Sequence, residues 1–343
     1  MMMMRQSKSR AAQLTKARFR PLAALIGVIV GTGLISQNSL SAPSSDYSSG
    51  RDVYAALTKQ HSEIIKIGDS QIHLVFADGA RGVNRGKVRA WITRSAQAVS
   101  TYFGRFPVRE MGIVIVAQDG RGVGHGVTYG SGVAVTRINV GRDADDTIFA
   151  RDWVMVHEMT HTALPLVEEN SWWLLEGSAT YIEPIARAQA GHISASTVWA
   201  DNLRDMRKGL PKAGDRGLDN MGTWGRTYWG GAIYFLVADT MIREQTGNRK
   251  GVQDALRAIN EKSGGNTAEW PIARVVAVGD EATGTNVMTT LYEAMRDAPA
   301  PVDLNALFLR LGVSTDGERL SLTDKAELAA VRRAITQAPS VQK

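Results

Sequence analysis

The segment HEMTH, at residues 157–161, contains two histidines four residues apart and a glutamate directly after the first. Residues four apart lie on one face of a helix, so the imidazoles of His157 and His161 could bind a single metal ion. Glu158 follows the first histidine and could act as general base toward a metal-activated water. The neighbouring residues are uncharged. This indicates a buried helix rather than a solvated helix that carries two histidines by chance.

A third protein ligand is expected on a nearby element, because a catalytic zinc keeps one coordination position open. The segment WWLLEGSATYIE, residues 172–183, supplies Glu176 near the start of an apolar helix, where an unpaired carboxylate would be costly. Glu168 and Glu169 are competitors, but they lie in a predicted exposed loop that favours solvated charge. Glu183 would share the helix face of Glu176, and it could orient a histidine or be an ordinary surface residue.

The chain has 343 residues and no cysteine. Disulfides and thiolate ligands are therefore excluded, and any metal must be bound by His, Asp or Glu. The length suits one large domain or two smaller ones, and the ordinary apolar content allows a sizeable core.

The net charge of +6 belongs to the N-terminus, because residues 1–42 contain six basic residues and no acid. The rest of the chain is formally neutral, which argues against nucleic acid as a partner. An apolar run at residues 21–35 follows the basic stretch and precedes small and polar residues, the order of a secretory signal. Residues 1–42 are therefore predicted to be a signal peptide, or a membrane anchor through residues 21–35. Either way, the body would be periplasmic or secreted.

Hydropathy patterns predict a Ser-rich linker and then a strand-rich subdomain. The linker is expected at residues 43–52 and the subdomain at residues 53–146. Within it we expect two strands in residues 64–76, a helix at 86–103, strands at 111–117 and 133–140, and a glycine-rich loop at 120–132.

The pattern becomes helical after residue 146. A helix at residues 147–163 would carry HEMTH, and a helix at 174–190 would carry Glu176. Further helices are predicted at residues 195–208, 226–246, 249–262, 286–297, 303–311 and 323–337, and an irregular segment at 263–285. The predicted fold class is α+β, with a mixed N-terminal sheet followed by a zinc-binding helical subdomain (residues 147–262) and a C-terminal helical region (263–343).

The two chemical segments together resemble the gluzincin zinc metallopeptidases, a peptidase MA-like group that contains aminopeptidase N and glycyl aminopeptidase. In that group a W-L-x-E-G-x-A-x-Y segment carries the third zinc ligand. The resemblance implies a thermolysin-like catalytic domain in which His157, His161 and Glu176 bind Zn²⁺ and Glu158 is the base. It covers about residues 60–250. The 14 residues between His161 and Glu176 are fewer than in the aminopeptidases, so the subfamily stays open.

A later segment, TYWGGA at residues 227–232, is similar to the Y-x-x-G-A segment of the same enzymes. There the tyrosine hydroxyl hydrogen-bonds the oxyanion of the tetrahedral intermediate, and the resemblance implies this role for Tyr228. Taken alone, a tyrosine that packs at a helix start would be the simpler interpretation. The adjacent Arg226 is a candidate for binding a substrate carboxylate.

One feature of the aminopeptidases is missing. They hold the substrate N-terminus with a glutamate in a G-x-M-E-N segment, whereas the corresponding residues 124–132 contain no acid. Without that carboxylate a free amine has no partner, which favours a peptidase other than an aminopeptidase. The strand predicted at residues 133–140 could pair with an extended peptide. His125 could face the site or be a loop histidine without a role.

The sequence therefore predicts an exported zinc-dependent metallopeptidase that hydrolyses peptide bonds in peptide or protein substrates by attack of a zinc-activated water. Glu158 would be base and then proton donor, and Tyr228 would stabilise the oxyanion. The alternative is a catalytically inactive gluzincin-fold peptide-binding or scaffold protein of the cell envelope. The intact Glu158 argues against it, since ligands alone suffice for a structural metal. A zinc hydrolase of a non-peptide amide, such as a wall component, is a third possibility.

Overall fold

The computed structural model describes residues 47–130, 132–317 and 319–338. The predicted signal peptide or anchor at residues 1–42 lies outside these ranges. Residues 50–52, which we assigned to the linker, form instead the first turn of helix α1 (Gly50–Lys59), because the Ser49 side chain caps it. Within the described ranges, no helix is long and apolar enough to cross a membrane.

Five strands form one mixed sheet: β1 (Ser62–Ile67), β2 (Ser70–Phe76), β3 (Glu110–Gln118), β4 (Val123–Tyr129) and β5 (Ala134–Gly141). Their order is β1-β2-β3-β5-β4, with the two inner pairs parallel and the two outer pairs antiparallel. Helix α2 (Arg85–Phe103) packs in the main core on one face, and α1 packs in a smaller core on the other. Because β4 is last in the strand order, it forms an edge of the sheet.

Strand β4 lies within residues 120–132, so our prediction of a loop there is wrong. Val127 and Tyr129 pack in the smaller core, whereas Thr128 points to the opposite face. The glycines of this stretch lack the side chains that make such alternation visible in a sequence. Because β5 is paired on both sides, our prediction that residues 133–140 pair with a substrate is also wrong. Of β4 and β5, only β4 lies at an edge of the sheet.

The second half is helical, apart from a hairpin, and this confirms the predicted α+β class and the order of sheet and helices. Its elements are α3 (Asp146–Arg151), α4 (Val154–Thr160), α5 (Trp172–Gln189), α6 (Ala195–Asp205), α7 (Gly231–Gln245), α8 (Val252–Ser263), α9 (Ile272–Thr283), α10 (Val287–Met295), α11 (Leu304–Arg310), β6 (Val313–Thr315), β7 (Leu320–Leu322) and α12 (Ala329–Thr336).

Two details of the helical half differ from the prediction. The helix expected at residues 147–163 is broken, because Asp152 is extended and its carboxylate accepts hydrogen bonds from Val154 N and Met155 N at the start of α4. The segment 263–285, predicted to be irregular, contains α9. Burial of Val275 and Val276 stabilises α9 despite the low helix propensity of β-branched residues.

Asn260 on α8 and Asn266, which follows α8, support the end of α4. Asn260 Nδ2 donates to the carbonyl oxygen of Ala163 at 2.9 Å, and Asn266 N donates to that of Thr162 at 3.2 Å. The Asn266 side chain also donates to the carbonyl oxygen of Tyr129, at 3.4 Å. These hydrogen bonds connect the helix that carries HEMTH with the edge strand β4.

Candidate metal centre

The side chains of His157, His161 and Glu176 meet in one buried cluster, where one ligand atom of each lies within 4.8 Å of the others. The two imidazoles are one turn apart on α4, with ring centroids 4.8 Å apart. Their Nε2 atoms lie 3.3 Å (His157) and 3.5 Å (His161) from Glu176 Oε2, which α5 supplies. The structure thus brings together the three residues that the sequence selected as ligands.

The chemistry of this cluster fits a metal ion. Three buried atoms in or beside the cluster have no hydrogen-bond partner among the described residues: Glu158 Oε1, His161 Nε2 and Glu176 Oε1. An unsatisfied buried polar atom costs about 1–3 kcal/mol, and a bound cation would offset that cost. Two imidazoles with one carboxylate are a donor set that zinc uses at catalytic sites.

The neighbouring imidazoles keep the buried Glu176 carboxylate ionised. Burial raises the pKa of Glu176, but the imidazoles of His161 and His157 outweigh burial and hold the pKa well below its ordinary value. Burial lowers the pKa of His161, and the Glu176 carboxylate more than offsets this, so that the pKa is raised. For Glu158, burial dominates and raises the pKa. A retained carboxylate among imidazoles suits the binding of a cation.

Glu158 is fully buried and is positioned by β4. Its Oε2 accepts a hydrogen bond from Thr128 Oγ1 at 2.7 Å, and the Thr128 hydroxyl lies 2.8 Å from that of Thr136 on β5. A Cβ at Gly126 would lie 2.7 Å from Glu158 Cγ, so only glycine leaves room for the carboxylate. Sequence reasoning missed Thr128 and Gly126 because it placed them in a loop.

Tyr228 lies in a π-helical turn, Gly225–Gly230, just before α7. Such turns are frequent at functional sites. The Tyr228 ring is nearly parallel to that of His157, with centroids 6.3 Å apart. Burial and the nearby carboxylates of Glu176 and Glu158 raise the pKa of Tyr228 well above its ordinary value. Its hydroxyl therefore stays protonated and remains a hydrogen-bond donor.

Helices α5 and α7 approach closely through a pair of glycines. A Cβ at Gly177 would lie 2.3 Å from Gly231 Cα, and a Cβ at Gly231 would lie 2.3 Å from the carbonyl oxygen of Trp173. Any larger residue would separate the helices. Gly177 in the segment 172–183 and Gly231 in the segment 227–232 therefore allow the turn that carries Tyr228 to pack against the helix that carries Glu176.

Arg226 is not placed to bind a substrate. Its Nε lies 2.8 Å from Asp215 Oδ2, and its Nη1 donates to the carbonyl oxygen of Gly209 at 2.6 Å. Burial lowers the pKa of Arg226, and Asp215 opposes this effect. The guanidinium is already paired in the interior, so the structure gives it a role in holding the chain rather than in binding a carboxylate.

Glu183 is buried, so its interpretation as a surface residue is wrong. Its Oε1 accepts from Arg187 Nη1 at 2.7 Å, and Arg187 also donates to the carbonyl oxygen of Arg151. Its predicted role in orienting a histidine stays a prediction.

The two competing glutamates lie outside the ligand cluster. Glu168 and Glu169 are exposed, and Glu168 accepts a hydrogen bond from Ile272 N at 3.1 Å. His125 lies in the irregular stretch between Val123 and Gly126, where the pairing of β4 with β5 shifts register. A role for His125 at the site stays a prediction.

A cleft of about 670 Å³ opens beside Glu176 and Tyr228. Trp224 lines it, is 47% exposed, and stacks on Tyr228 with ring centroids 5.9 Å apart. Asp219 lines it as well, and accepts hydrogen bonds from Trp173 Nε1 at 2.6 Å and from the Tyr292 hydroxyl at 3.0 Å. Sequence reasoning did not find this cleft, because its walls come from separate segments.

No family model matches the sequence, and no curated protein matches it. Solved structures do match. An aminopeptidase N family protein from Idiomarina loihiensis is 16% identical, with a TM-score of 0.54 over 74% of this chain and 49% of that chain. An M1 zinc metallopeptidase from Deinococcus radiodurans is 18% identical, with a TM-score of 0.43 over 71% of this chain and 54% of that chain. A variant of the Deinococcus radiodurans enzyme, bound to a Tyr-Ser-Ala substrate, is 17% identical, with a TM-score of 0.44 over 70% of this chain and 52% of that chain.

The chain spans about half the length of these solved structures. At such identities the similarity concerns the fold, and the chemistry of the site must be argued from the chain's own residues.

Proposed function

We propose, on the premise that the chain has a gluzincin-like metallopeptidase fold, that it is a zinc-dependent peptidase acting on peptide or protein substrates. The observation that carries the proposal is the placement of Glu158 beside the cluster of His157, His161 and Glu176, all in the interior. A structural metal would not need Glu158. A buried glutamate with an unpaired oxygen is what hydrolysis needs in addition.

The three ligands and Glu158 would have different roles, metal binding and proton transfer respectively. A zinc ion held by His157, His161 and Glu176 would supply a Lewis acid that polarises the scissile carbonyl and makes water a nucleophile near neutral pH. Glu158 has one oxygen fixed by Thr128 and the other unpaired. The unpaired oxygen can take a proton from the attacking water and pass it to the leaving amine.

Tyr228 would stabilise the charge that develops on the scissile carbonyl oxygen. It lies across from His157, and its hydroxyl stays protonated because burial and two carboxylates raise its pKa. A donor already in place when the charge develops requires no reorganisation at that moment.

The free edge of β4 offers a place for the peptide main chain. An extended substrate could add to this edge as a further strand and so run alongside Glu158 and α4. Residues 123–129 contain no acid that could pair with a free amine. This supports our proposal that the protein is a peptidase other than an aminopeptidase.

We also propose export to the periplasm or secretion, with residues 1–42 as a cleaved signal or residues 21–35 as an inner-membrane anchor. The basic, apolar and small-residue order of this segment supports the proposal. Fractionation of cells that express the full chain, with N-terminal sequencing, tests it. A mature N-terminus near residue 42 or an intact membrane-bound chain is expected. A full-length chain in the cytosol would contradict it.

The decisive experiment for the activity is a peptide-library assay of zinc-loaded wild type and Glu158→Gln. We expect wild-type turnover, and a loss of about 10²–10⁴-fold in kcat in the variant with zinc still bound. If zinc-loaded wild type cleaves no peptide, the inactive peptide-binding or scaffold protein is favoured instead. Activity on a non-peptide amide alone would favour the third possibility.

A further inference from the structure

The cleft beside Glu176 and Tyr228, which we call the tryptophan cleft, combines aromatic walls with negative charge. Its lining residues are Glu169, Asn170, Trp172, Trp173, Glu176, Leu218, Asp219, Asn220, Met221, Gly222, Trp224, Thr227 and Tyr228. Three of them are tryptophans, three are acids, and none is basic. Leu218 and Met221 extend the apolar wall.

The position of the cleft ties it to substrate rather than to an unrelated ligand. It includes Glu176, one of the three residues that could hold the metal, and Tyr228, whose ring stacks against His157. A group bound there is adjacent to the reacting carbonyl. A peptide that crosses the metal centre would therefore place a side chain next to its scissile bond in this cleft.

Several wall residues of the cleft are held by contacts with neighbouring side chains. Asp219 joins three elements, because it accepts hydrogen bonds from Trp173 and Ser171 at the start of α5 and from Tyr292 on α10. Trp224 is held by the Tyr228 ring and by Lys208, whose Nζ lies 5.9 Å from the Trp224 ring centroid. A preformed apolar wall binds a side chain without the cost of ordering itself.

We propose that the tryptophan cleft binds a large aromatic side chain of the substrate, at the residue next to the scissile bond. This inference rests on the proposed function. The apolar area that would be buried favours an aromatic side chain, because such a side chain buries about 150–250 Å², whereas alanine buries little. Even partial burial in an open cleft gives an expected preference of about 10-fold or more over alanine.

The negative charge of the cleft disfavours an acidic side chain of the substrate. Glu169 and Asp219 carry negative charge, and the cleft lining contains no lysine or arginine to balance it. Two cations contact the walls from outside the lining: Arg216, whose Nη2 donates to the carbonyl oxygen of Asn220 at 3.2 Å, and Lys208, which is paired with Asp205 at 2.7 Å. A substrate glutamate would meet like charge and lose hydration. We expect it to bind about 10-fold more weakly than the isosteric glutamine.

Binding to zinc-loaded Glu158→Gln tests the cleft without turnover. The probes are alanine-rich peptides with one variable residue, Phe, Ala, Gln or Glu, and the affinities come from isothermal titration calorimetry. The expected order of affinity is Phe, then Ala and Gln, then Glu. Equal affinity for the Phe and Ala peptides would overturn the proposal.

Variants in the same background assign the selectivity to residues. Trp224→Leu should reduce the Phe-over-Ala preference about 3-fold or more, because the leucine offers less contact area. Glu169→Gln should strengthen binding of the Glu peptide alone. The control is Leu309→Ala on α11, an apolar residue that is 63% exposed and outside the cleft. A Phe preference unchanged in Trp224→Leu, or reduced equally in Leu309→Ala, would overturn the assignment.

Turnover by wild type is measured in parallel, so that the two proposals can fail separately. Phe-selective binding without any turnover would contradict the peptidase and leave the cleft in place. Turnover without selectivity in binding would contradict the cleft and leave the peptidase in place.

Discussion

The ligand cluster and the edge strand β4 both contribute to the candidate metal centre, but they contribute differently. The cluster is built on two buried helices, because α4 and its C-terminal end supply both histidines and α5 supplies Glu176. Strand β4 is paired on one side only and contributes no ligand. It instead makes room for Glu158 and donates a hydrogen bond to it. Metal binding and catalysis should therefore be separable by mutation.

Gly126→Ala is the sharpest way to test this separation. The new Cβ would lie 2.7 Å from Glu158 Cγ, so the base must move while the ligands stay in place. We expect kcat to fall by about 10²–10⁴-fold, as if the base were removed, with zinc content unchanged. Steady-state kinetics and metal analysis measure the two effects.

Gly122→Ala is the matched control, because a Cβ there meets nothing within 4 Å and the residue lies just before β4. It should have wild-type kcat. Loss of zinc from Gly126→Ala would show that β4 supports the ligands too, and would contradict the separation of metal binding from catalysis.

Tyr228→Phe tests the oxyanion donor, which belongs to neither the ligand set nor β4. Removing the hydroxyl should lower kcat by about 10²–10³-fold and leave KM and zinc content close to wild type, because the interaction forms in the transition state. Tyr234→Phe, on α7, is the control. It loses only a hydrogen bond to the carbonyl oxygen of Met288 and should keep kcat. Equal kcat in Tyr228→Phe and wild type would exclude the role.

Thr128→Val should have a smaller effect than Gly126→Ala or Tyr228→Phe. It removes the 2.7 Å hydrogen bond to Glu158 Oε2 at nearly constant volume. We expect kcat to fall about 10-fold with zinc retained, because such supporting contacts orient a catalytic group without replacing it. Thr136→Val should do less, since its hydroxyl contacts Thr128 rather than Glu158. A larger loss in Thr136→Val than in Thr128→Val would contradict this order.

The difference between the two regions also explains what the sequence could predict. The spacing of His157 and His161 is local to one helix, so their shared face was visible without a structure. Glu176 was predicted because a carboxylate in an apolar helix needs a partner. The roles of Gly126 and Thr128 depend on the pairing of β4 with β5 and on the packing of the sheet against α4. Neither interaction is local in sequence.

Three further features also depend on contacts that the hydropathy pattern does not show. Helix α9 contains three valines, whose own preference is not helical, so its formation depends on burial in the main core. The break before α4 depends on how Asp152 turns its carboxylate to two amides. The tryptophan cleft is assembled from residues 169–176 and 218–228, which no single segment reveals.

Zinc binding by His157, His161 and Glu176 is tested most directly by the metal content of the purified protein. Wild type, Glu158→Gln and Glu176→Ala are purified without chelators, and zinc is measured by mass spectrometry and by competition with a chelator of known affinity. We predict one zinc ion per chain in wild type and in Glu158→Gln, and an affinity at least about 100-fold weaker in Glu176→Ala. Wild type without zinc, or Glu176→Ala with wild-type affinity, would contradict the account.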